Sequence, residues 1–357
     1  MWPTMSDPLV GDRAREAIGL VFDRISGSLE LVERALREQI VSDADLVALM
    51  GDHVFSSGGK RLRPALLLLA AELCGYTGPR RIQIGAAIEM LHTATLLHDD
   101  VVDVSELRRG RPSANVLWGN RRAVLAGDFF YARASSMIVE DGELEILEIF
   151  ASTIRQMAEG ELLQLSRSFD ATVTESHYYE VIDRKSAALL AAACEAGAIL
   201  GGVTRAERRR VATFGRELGL AFQLKDDALD YDTSAATLGK AQYADLMEGK
   251  VTLPLLLTLK RCTSNERELI AGLLKNVANH QDESVAGASN GGALADPATP
   301  DIAPVVDLVR RYHGVSDTLR RADEHVTRSI DAIAAFPDGL AKQALLSAAA
   351  FTVSRER

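Results

Sequence analysis

Apolar residues recur at three- and four-residue spacing along most of this 357-residue chain. That period is typical of amphipathic α-helices, and no run shows a convincing strand period of two. No proline occurs between Pro112 and Pro254, which favours long uninterrupted helices. The clearest helical stretches are Ala14–Leu36, Ile82–Val102, Ala114–Ile138, Leu144–Leu165, His177–Leu200 and Glu207–Leu229.

The segment at residues 279–304 departs from this pattern. It is rich in Ala, Gly, Ser, Asp and Pro, a composition typical of a mobile surface loop. The amphipathic pattern resumes at Val305 and continues through Phe351. Because no strand separates the helices and no comparable gap occurs elsewhere, the sequence predicts a single all-α domain over residues 1–357.

Composition limits the classes of function. The net charge of −10 argues against general nucleic-acid binding, which needs a basic face. The N-terminus lacks the basic and apolar regions of a signal peptide. The most apolar stretch, Ser186–Val203, is interrupted by Glu195 and is rich in Ala and Gly, so we expect a buried helix and no membrane span. The three cysteines show no disulfide or metal spacing, which fits a reduced cytoplasmic protein.

Two Asp-Asp-x-x-Asp clusters each follow an apolar helical segment. They consist of Asp99, Asp100 and Asp103, and of Asp226, Asp227 and Asp230. Residues three and four apart share a helix face, so each trio can converge on one side. One such cluster is equally well explained as a solvated helix end. Two copies favour a cation site, and carboxylates without Cys or paired His suit Mg²⁺, which also takes waters and substrate phosphates as ligands.

Basic residues are concentrated around the two acidic clusters. Lys60 and Arg63 follow a glycine pair and precede Pro64, at a plausible helix start. Backbone amides at a helix start can hold phosphate together with such side chains. Other basic residues follow the clusters, namely Arg108, Arg109, Arg111, Lys240 and Lys250. Each group alone is more typical of a solvated surface, but their order around two acidic clusters predicts a diphosphate site.

These motifs together resemble the trans-isoprenyl diphosphate synthases, specifically the long-chain polyprenyl diphosphate synthases. The resemblance extends from about Asp12 to Arg357, interrupted chiefly by residues 279–304. The matching blocks, in order, are GGKRLRP, LLHDDVVD followed by RRG, GDFFYARA, GELLQL, RKSAALLAAACEAGA, FQLKDDALDY and EGKVTLPLLL. The resemblance implies an all-helical isoprenoid synthase bundle around a central cavity.

The resemblance also implies roles for individual residues. The metal-binding aspartates are expected to be Asp99, Asp100, Asp103, Asp226 and Asp227, with Asp230 a less direct match. The expected isopentenyl diphosphate pocket comprises Lys60, Arg63, His92 and Arg109, although His92 could instead be a core histidine. The expected contacts to the allylic diphosphate are Arg108, Lys185, Ser186, Gln223, Lys240 and Lys250. Many family members have threonine at the position of Ser186. Lys185 and Lys240 join the aspartates as expected catalytic residues.

The implied reaction is a sequential condensation of isopentenyl diphosphate onto an allylic diphosphate, farnesyl or geranyl. We expect three Mg²⁺ ions per active site with substrate bound, and a homodimer. Rival interpretations are a class I terpene cyclase, a short-chain farnesyl or geranylgeranyl diphosphate synthase, and a non-catalytic subunit of a heteromeric prenyltransferase. The cyclase would not need the Lys60–Arg63 site, and a non-catalytic subunit often loses aspartates or basic residues that are present here.

Product length is expected to depend on side chains below the first acidic cluster. Ala94 and Thr95 lie one to two turns before Asp99 and are small, so neither forms a floor to the cavity. In the resembling family, a bulky aromatic residue at the position of Ala94 accompanies short products. The sequence therefore predicts an octaprenyl to decaprenyl product, destined for a quinone side chain. The expected floor residues are Phe129, Phe130 or Met137.

Overall fold

A computed structural model of the chain describes residues 25–42, 44–56, 61–231, 243–290 and 300–354. Helix α1 covers residues 25–39 within this part of the chain. The elements of the first half are α2 (Asp45–Ser56), α3 (Leu62–Leu73), α4 (Arg80–Val102), β1 (Leu107–Arg108), β2 (Arg111–Pro112), α5 (Ala114–Trp118), α6 (Asn120–Asp141) and α7 (Leu144–Leu165).

The second half of the chain is also helical. Its elements are α8 (Glu175–Ile182), a π-helical turn (Asp183–Ala187), α9 (Ala188–Leu200), α10 (Arg205–Leu229), α11 (Ala244–Met247), α12 (Leu253–Arg261), α13 (Ser264–Asn290), α14 (Ala303–Arg311), α15 (Gly314–Ala332) and α16 (Leu340–Ser354). The prediction of one all-α domain is confirmed. None of the helices in the described ranges is long and apolar enough to cross a membrane.

Helices α3 and α9 occupy the interior and pack against each other. Every residue of α3 from Pro64 to Ala71 is buried, as expected for a helix that is apolar on all sides. Gly197 permits the close contact, since a Cβ atom there would lie 2.6 Å from the carbonyl oxygen of Leu67. The buried helix predicted at Ser186–Val203 is present as α9, with the shorter bounds Ala188–Leu200. Cys194 within it is buried and free, as are the other two cysteines.

The long helices α4 and α10 surround this centre and end in the two acidic clusters. Helix α4 packs along α6, and α10 packs along α9 and α15. The Thr204 side chain and Glu207 form a capping box that fixes the start of α10, since each satisfies a backbone N–H group that lacks a helical partner. The acidic ends of the two helices are linked through the segment 245–250, since Lys250 donates to Asp103 and the Asp245 N–H donates to Asp230.

Two predicted helices are interrupted in the structure. The stretch Ala114–Ile138 breaks at Gly119, which has a φ of 84°, a conformation that favours glycine. The stretch His177–Leu200 contains the π-helical turn, which packs against α7 at Gly160. A Cβ atom at Gly160 would lie 2.8 Å from the backbone nitrogen of Lys185. The turn therefore sits unusually close to α7, and π-helical turns are frequent at functional sites.

The prediction of a loop over residues 279–304 needs a correction. Helix α13 continues to Asn290, and α14 begins at Ala303. Glycine and serine content suggested a loop, but no proline occurs between Pro254 and Pro297, so nothing in residues 279–290 blocks the helical backbone. Residues 291–299 lie outside the described ranges.

Candidate active site

The first acidic cluster lies at the C-terminal end of α4. Asp100 is buried and accepts a hydrogen bond from Arg108 Nε at 2.6 Å. Asp103 accepts one from Lys250 Nζ at 3.1 Å. Burial raises the pKa of Asp99 to about 6. The C-terminal end of a helix also carries partial negative charge. Additional positive charge nearby would therefore stabilise the ionised cluster.

The second cluster lies at the C-terminal end of α10, and its Asp227 is buried. Asp227 accepts hydrogen bonds from Tyr178 Oη at 2.5 Å and from Gln223 Nε2 at 2.8 Å. Asp230 accepts backbone N–H groups of residues 244 and 245, at 3.0 and 3.3 Å. Burial, followed by the nearby Asp245 carboxylate, raises the pKa of Asp227 well above its usual range and that of Asp230 to about 7.

Two lysines expected to bind the allylic diphosphate lie between the clusters and pair with acids. Lys185 Nζ lies 2.5 Å from Glu161 and donates to Gln164 Oε1 at 3.2 Å. Lys250 Nζ contacts Glu248 at 2.5 Å in addition to Asp103. Neither lysine therefore projects as an isolated charge, and an incoming diphosphate would compete with carboxylates for both.

Three of the residues expected to bind isopentenyl diphosphate, Arg63, His92 and Arg109, lie close enough together to interact electrostatically, and we refer to them as the basic pocket. Arg63 Nε is buried and has no hydrogen-bond partner among the described residues. Arg61 donates to Glu89 Oε1 at 2.9 Å, and Glu89 is buried. Burial and the neighbouring arginines, Arg63 and Arg109 first, hold the pKa of His92 well below its usual range. His92 is therefore neutral here, and the surrounding positive charge suits an anion.

A cleft of about 110 Å³ lies beside Asp227 of the second cluster and is lined by several predicted residues. Ser186 Oγ donates to Gln223 Oε1 at 2.8 Å, so these two residues lead to Asp227 as a chain of hydrogen bonds. Asp226 is an electrostatic neighbour of Arg63, which connects the second cluster to the basic pocket. The predicted residues that line the cleft are Lys185, Ser186, Gln223, Asp227 and Lys250. Lys60 and Lys240 lie outside the described residues.

Several residues of the site were missed from the sequence. Glu161 and Gln164 lie in the GELLQL block, and Asp245 lies just before Glu248 and Lys250, so their neighbourhood was visible although their contacts were not. Tyr178 carries no sequence signal, because a tyrosine on an amphipathic helix is ordinarily a core residue.

The carboxylates suit Mg²⁺ in a particular way. In the described ranges, no three metal-ligating side chains lie close enough together to hold an ion by themselves. Mg²⁺ commonly takes one or two carboxylates and completes its shell with waters and substrate phosphates. The two clusters, whose carboxylates Asp99, Asp227 and Asp230 have raised pKa values, therefore fit a divalent ion that also binds a diphosphate better than a closed protein cage.

The raised pKa of Asp99 predicts a measurable effect on stability. A folded-state pKa of about 6 against 3.8 means that ionised Asp99 destabilises the metal-free protein above pH 6, and that this cost fades as the pH falls towards 4. Lys185 would keep its partner Glu161. We therefore expect Asp99→Asn to raise the unfolding free energy by about 1–3 kcal/mol at pH 7.5.

Urea titrations of metal-free protein at pH 7.5 and pH 4 measure this difference. A gain at pH 7.5 that disappears at pH 4 agrees with the prediction. Equal stability of the two proteins at pH 7.5 would show that the carboxylate is already compensated.

The matching family model and the similar known proteins agree on one protein family. Residues 44–289 match the family model described as polyprenyl synthetase. The chain is 39% identical over 326 residues to the octaprenyl diphosphate synthase of Escherichia coli (strain K12), covering 91% of this chain and 95% of that protein. It is 38% identical over 325 residues to an all-trans-nonaprenyl-diphosphate synthase (geranyl-diphosphate specific) of Rhodobacter capsulatus, covering 91% and 94%.

A solved structure agrees with these sequence relationships. The polyprenyl synthase from Caulobacter crescentus CB15, complexed with calcium and isoprenyl diphosphate, superimposes with a TM-score of 0.83 at 38% identity. The match covers 95% of this chain and 98% of that one.

Proposed function

Because this chain belongs to the polyprenyl synthetase family, we propose that its two acidic clusters and the cations around them condense isopentenyl diphosphate with an allylic diphosphate. The chain is a prenyltransferase of the long-chain trans-polyprenyl type. We propose farnesyl or geranyl diphosphate as the primer, an octaprenyl to decaprenyl product for quinone side chains, and Mg²⁺ as the metal.

The placement of Lys250 is the observation that carries the proposal. Its ammonium contacts Asp103 of the first cluster. Its backbone N–H donates to the carbonyl of Asp245 at 2.8 Å, and the Asp245 N–H donates to Asp230 of the second cluster. One short segment therefore connects both clusters and supplies a cation between them, which is where a diphosphate held from both sides would lie.

Separate groups of residues would bind the two anionic substrates. Arg108, Lys185 and Lys250 would neutralise the departing diphosphate, which favours ionisation of the allylic C–O bond. Arg63 and Arg109 would hold isopentenyl diphosphate so that its double bond faces the allylic carbon, a positioning contribution. Bound Mg²⁺ would supply further charge compensation to the leaving diphosphate through the aspartates.

Proton loss completes each addition. The double bond attacks the allylic cation, a carbon–carbon bond forms, and the adjacent C–H bond breaks to restore a double bond. Among the described residues of the motifs there is no evident protein base, and His92 lies among arginines. We propose that the released diphosphate accepts the proton.

The reaction is tested by incubating the purified chain with Mg²⁺, farnesyl diphosphate and labelled isopentenyl diphosphate, then sizing the products by mass spectrometry. We expect a ladder ending at octaprenyl to decaprenyl diphosphate, abolished by EDTA and restored by excess Mg²⁺. A product that stops at C15 or C20 would contradict the assigned length. No product with any allylic primer would favour the non-catalytic subunit.

The proposed homodimer has a candidate surface on α6 and α7. Exposed apolar side chains follow one another along these helices, namely Val124, Leu125, Tyr131, Val139, Leu144, Leu162 and Leu165. Exposed apolar side chains that form a patch are typical of a protein interface. Light scattering is expected to give twice the 38.6 kDa chain mass for the wild type and the monomer mass for Leu125→Glu. A monomeric wild type would contradict the dimer.

A further inference from the structure

The phenol of Tyr178 makes a direct contact with the second acidic cluster. Its hydroxyl donates to Asp227 Oδ2 at 2.5 Å, while Gln223 donates to Oδ1 at 2.8 Å. Tyr178 is 5% exposed and Asp227 is 2% exposed. Both oxygens of this carboxylate are therefore held by neutral donors, from α8 on one side and α10 on the other.

We propose that Tyr178 is a positioning residue that fixes the orientation of the Asp227 carboxylate for a divalent cation shared with the diphosphate. This inference rests on the proposed role of Asp227 as a metal ligand. A carboxylate oxygen can accept a hydrogen bond and still present a lone pair to a cation. Donors of this kind fix the orientation of a metal-binding side chain, and their removal costs about 10–100-fold in metal affinity.

The location of Tyr178 supports a role at the cleft. Along α8 and the π-helical turn, His177, Tyr178, Val181, Ile182, Lys185 and Ser186 all line the cleft. Tyr178 thus lies on the same face as Lys185 and places its hydroxyl beside the second cluster. Its position on α8 brings a donor to Asp227 Oδ2 from outside the aspartate's own helix, whereas Gln223 on α10 donates to Oδ1.

The adjacent Tyr179 provides a matched control. Its ring contacts the Tyr178 ring at 5.5 Å and the His325 ring at 5.7 Å between centroids, on the side of α8 towards α15. Tyr179→Phe removes a hydroxyl from the same turn without touching Asp227. A general effect of losing a phenol on α8 would appear in both variants, whereas an effect through Asp227 would appear only in Tyr178→Phe.

The experiment measures binding of Mn²⁺ to the full chain by electron paramagnetic resonance, with inorganic diphosphate present. We expect Tyr178→Phe to weaken diphosphate-dependent Mn²⁺ binding by about 10–100-fold, and Tyr179→Phe to bind as the wild type does. In an Asp227→Ala background, Tyr178→Phe should cause no further loss, since the residue that it orients is gone. Circular dichroism checks that each variant is folded.

Each outcome separates the two claims. If the wild type shows no diphosphate-dependent Mn²⁺ binding, the proposed metal site is wrong. If the wild type binds Mn²⁺ and Tyr178→Phe binds it equally well, the metal site stands and the positioning role is overturned. Equal losses in Tyr178→Phe and Tyr179→Phe, or a further loss in the Asp227→Ala background, would also overturn it, because the effect would then not pass through Asp227.

Discussion

Asp99→Ala is expected to lower kcat by at least about 10²–10³-fold, the range seen when one preorganised charge-stabilising group is removed. Asp99 interacts electrostatically with Lys185, Glu161 and Asp103. The leaving diphosphate would be held at this point. Steady-state kinetics with saturating Mg²⁺ measure the loss. The exposed Asp307 on α14 pairs loosely with Arg310 at 3.7 Å, and Asp307→Ala should leave activity unchanged.

Two further observations would locate the defect at the first cluster. Isopentenyl diphosphate binding, measured by calorimetry, should be retained, because Arg63 and His92 belong to the separate basic pocket. The protein should also remain folded, since removal of this buried carboxylate relieves an electrostatic cost above pH 6. Near-wild-type kcat in Asp99→Ala would contradict the assignment of the first cluster to diphosphate ionisation.

Ala94→Phe is expected to shorten the product from the octaprenyl–decaprenyl range to C15–C20. Ala94 is 1% exposed and belongs to the same buried cluster as Phe130 and Met137 of α6. Ala94 lies five residues before Asp99 on α4. We expect the growing chain to extend along this part of the helix. An added aromatic ring would occupy space between α4 and α6, at a stability cost of about 1–3 kcal/mol for overpacking.

Mass spectrometry of the reaction products tests this second prediction. Ala335, exposed beyond the end of α15, provides the control, since Ala335→Phe adds the same ring far from α4 and should leave product length unchanged. An unaltered product length in an active, folded Ala94→Phe protein would exclude the proposed path of the chain. The expected floor formed by Phe129, Phe130 or Met137 stays a prediction.

Much of the fold could be read from local pattern. Leu144–Leu165 was predicted with the bounds of α7, and α4 and α10 differ by two residues at their starts, because apolar periodicity directly reports which face a helix buries. The hairpin of β1 and β2 was missed. It rests on Arg109 and Gly110, with φ values of 53° and 75°, a tight turn whose strands are too short to show alternation.

The candidate site was predictable in its charges and less so in its contacts. The order of acidic and basic residues along the chain predicts the two clusters, because clustered carboxylates need positive charges nearby. The hydrogen bond from Tyr178 to Asp227 and the ion pair of Lys185 with Glu161 depend on how α8, the π-helical turn and α7 pack. Sequence spacing gives neither that packing nor the π turn, since both involve tertiary contacts such as the close approach of the turn to α7 at Gly160.

The most direct test of the central claim is a crystal structure with Mn²⁺, an unreactive allylic thiolodiphosphate and isopentenyl diphosphate, with the metal located by anomalous scattering. We expect Mn²⁺ peaks between the two acidic clusters, ligated by aspartates of both and by the thiolodiphosphate, with isopentenyl diphosphate beside Arg63 and Arg109. Peaks bound to one cluster alone, or a thiolodiphosphate held away from Lys185 and Lys250, would contradict it.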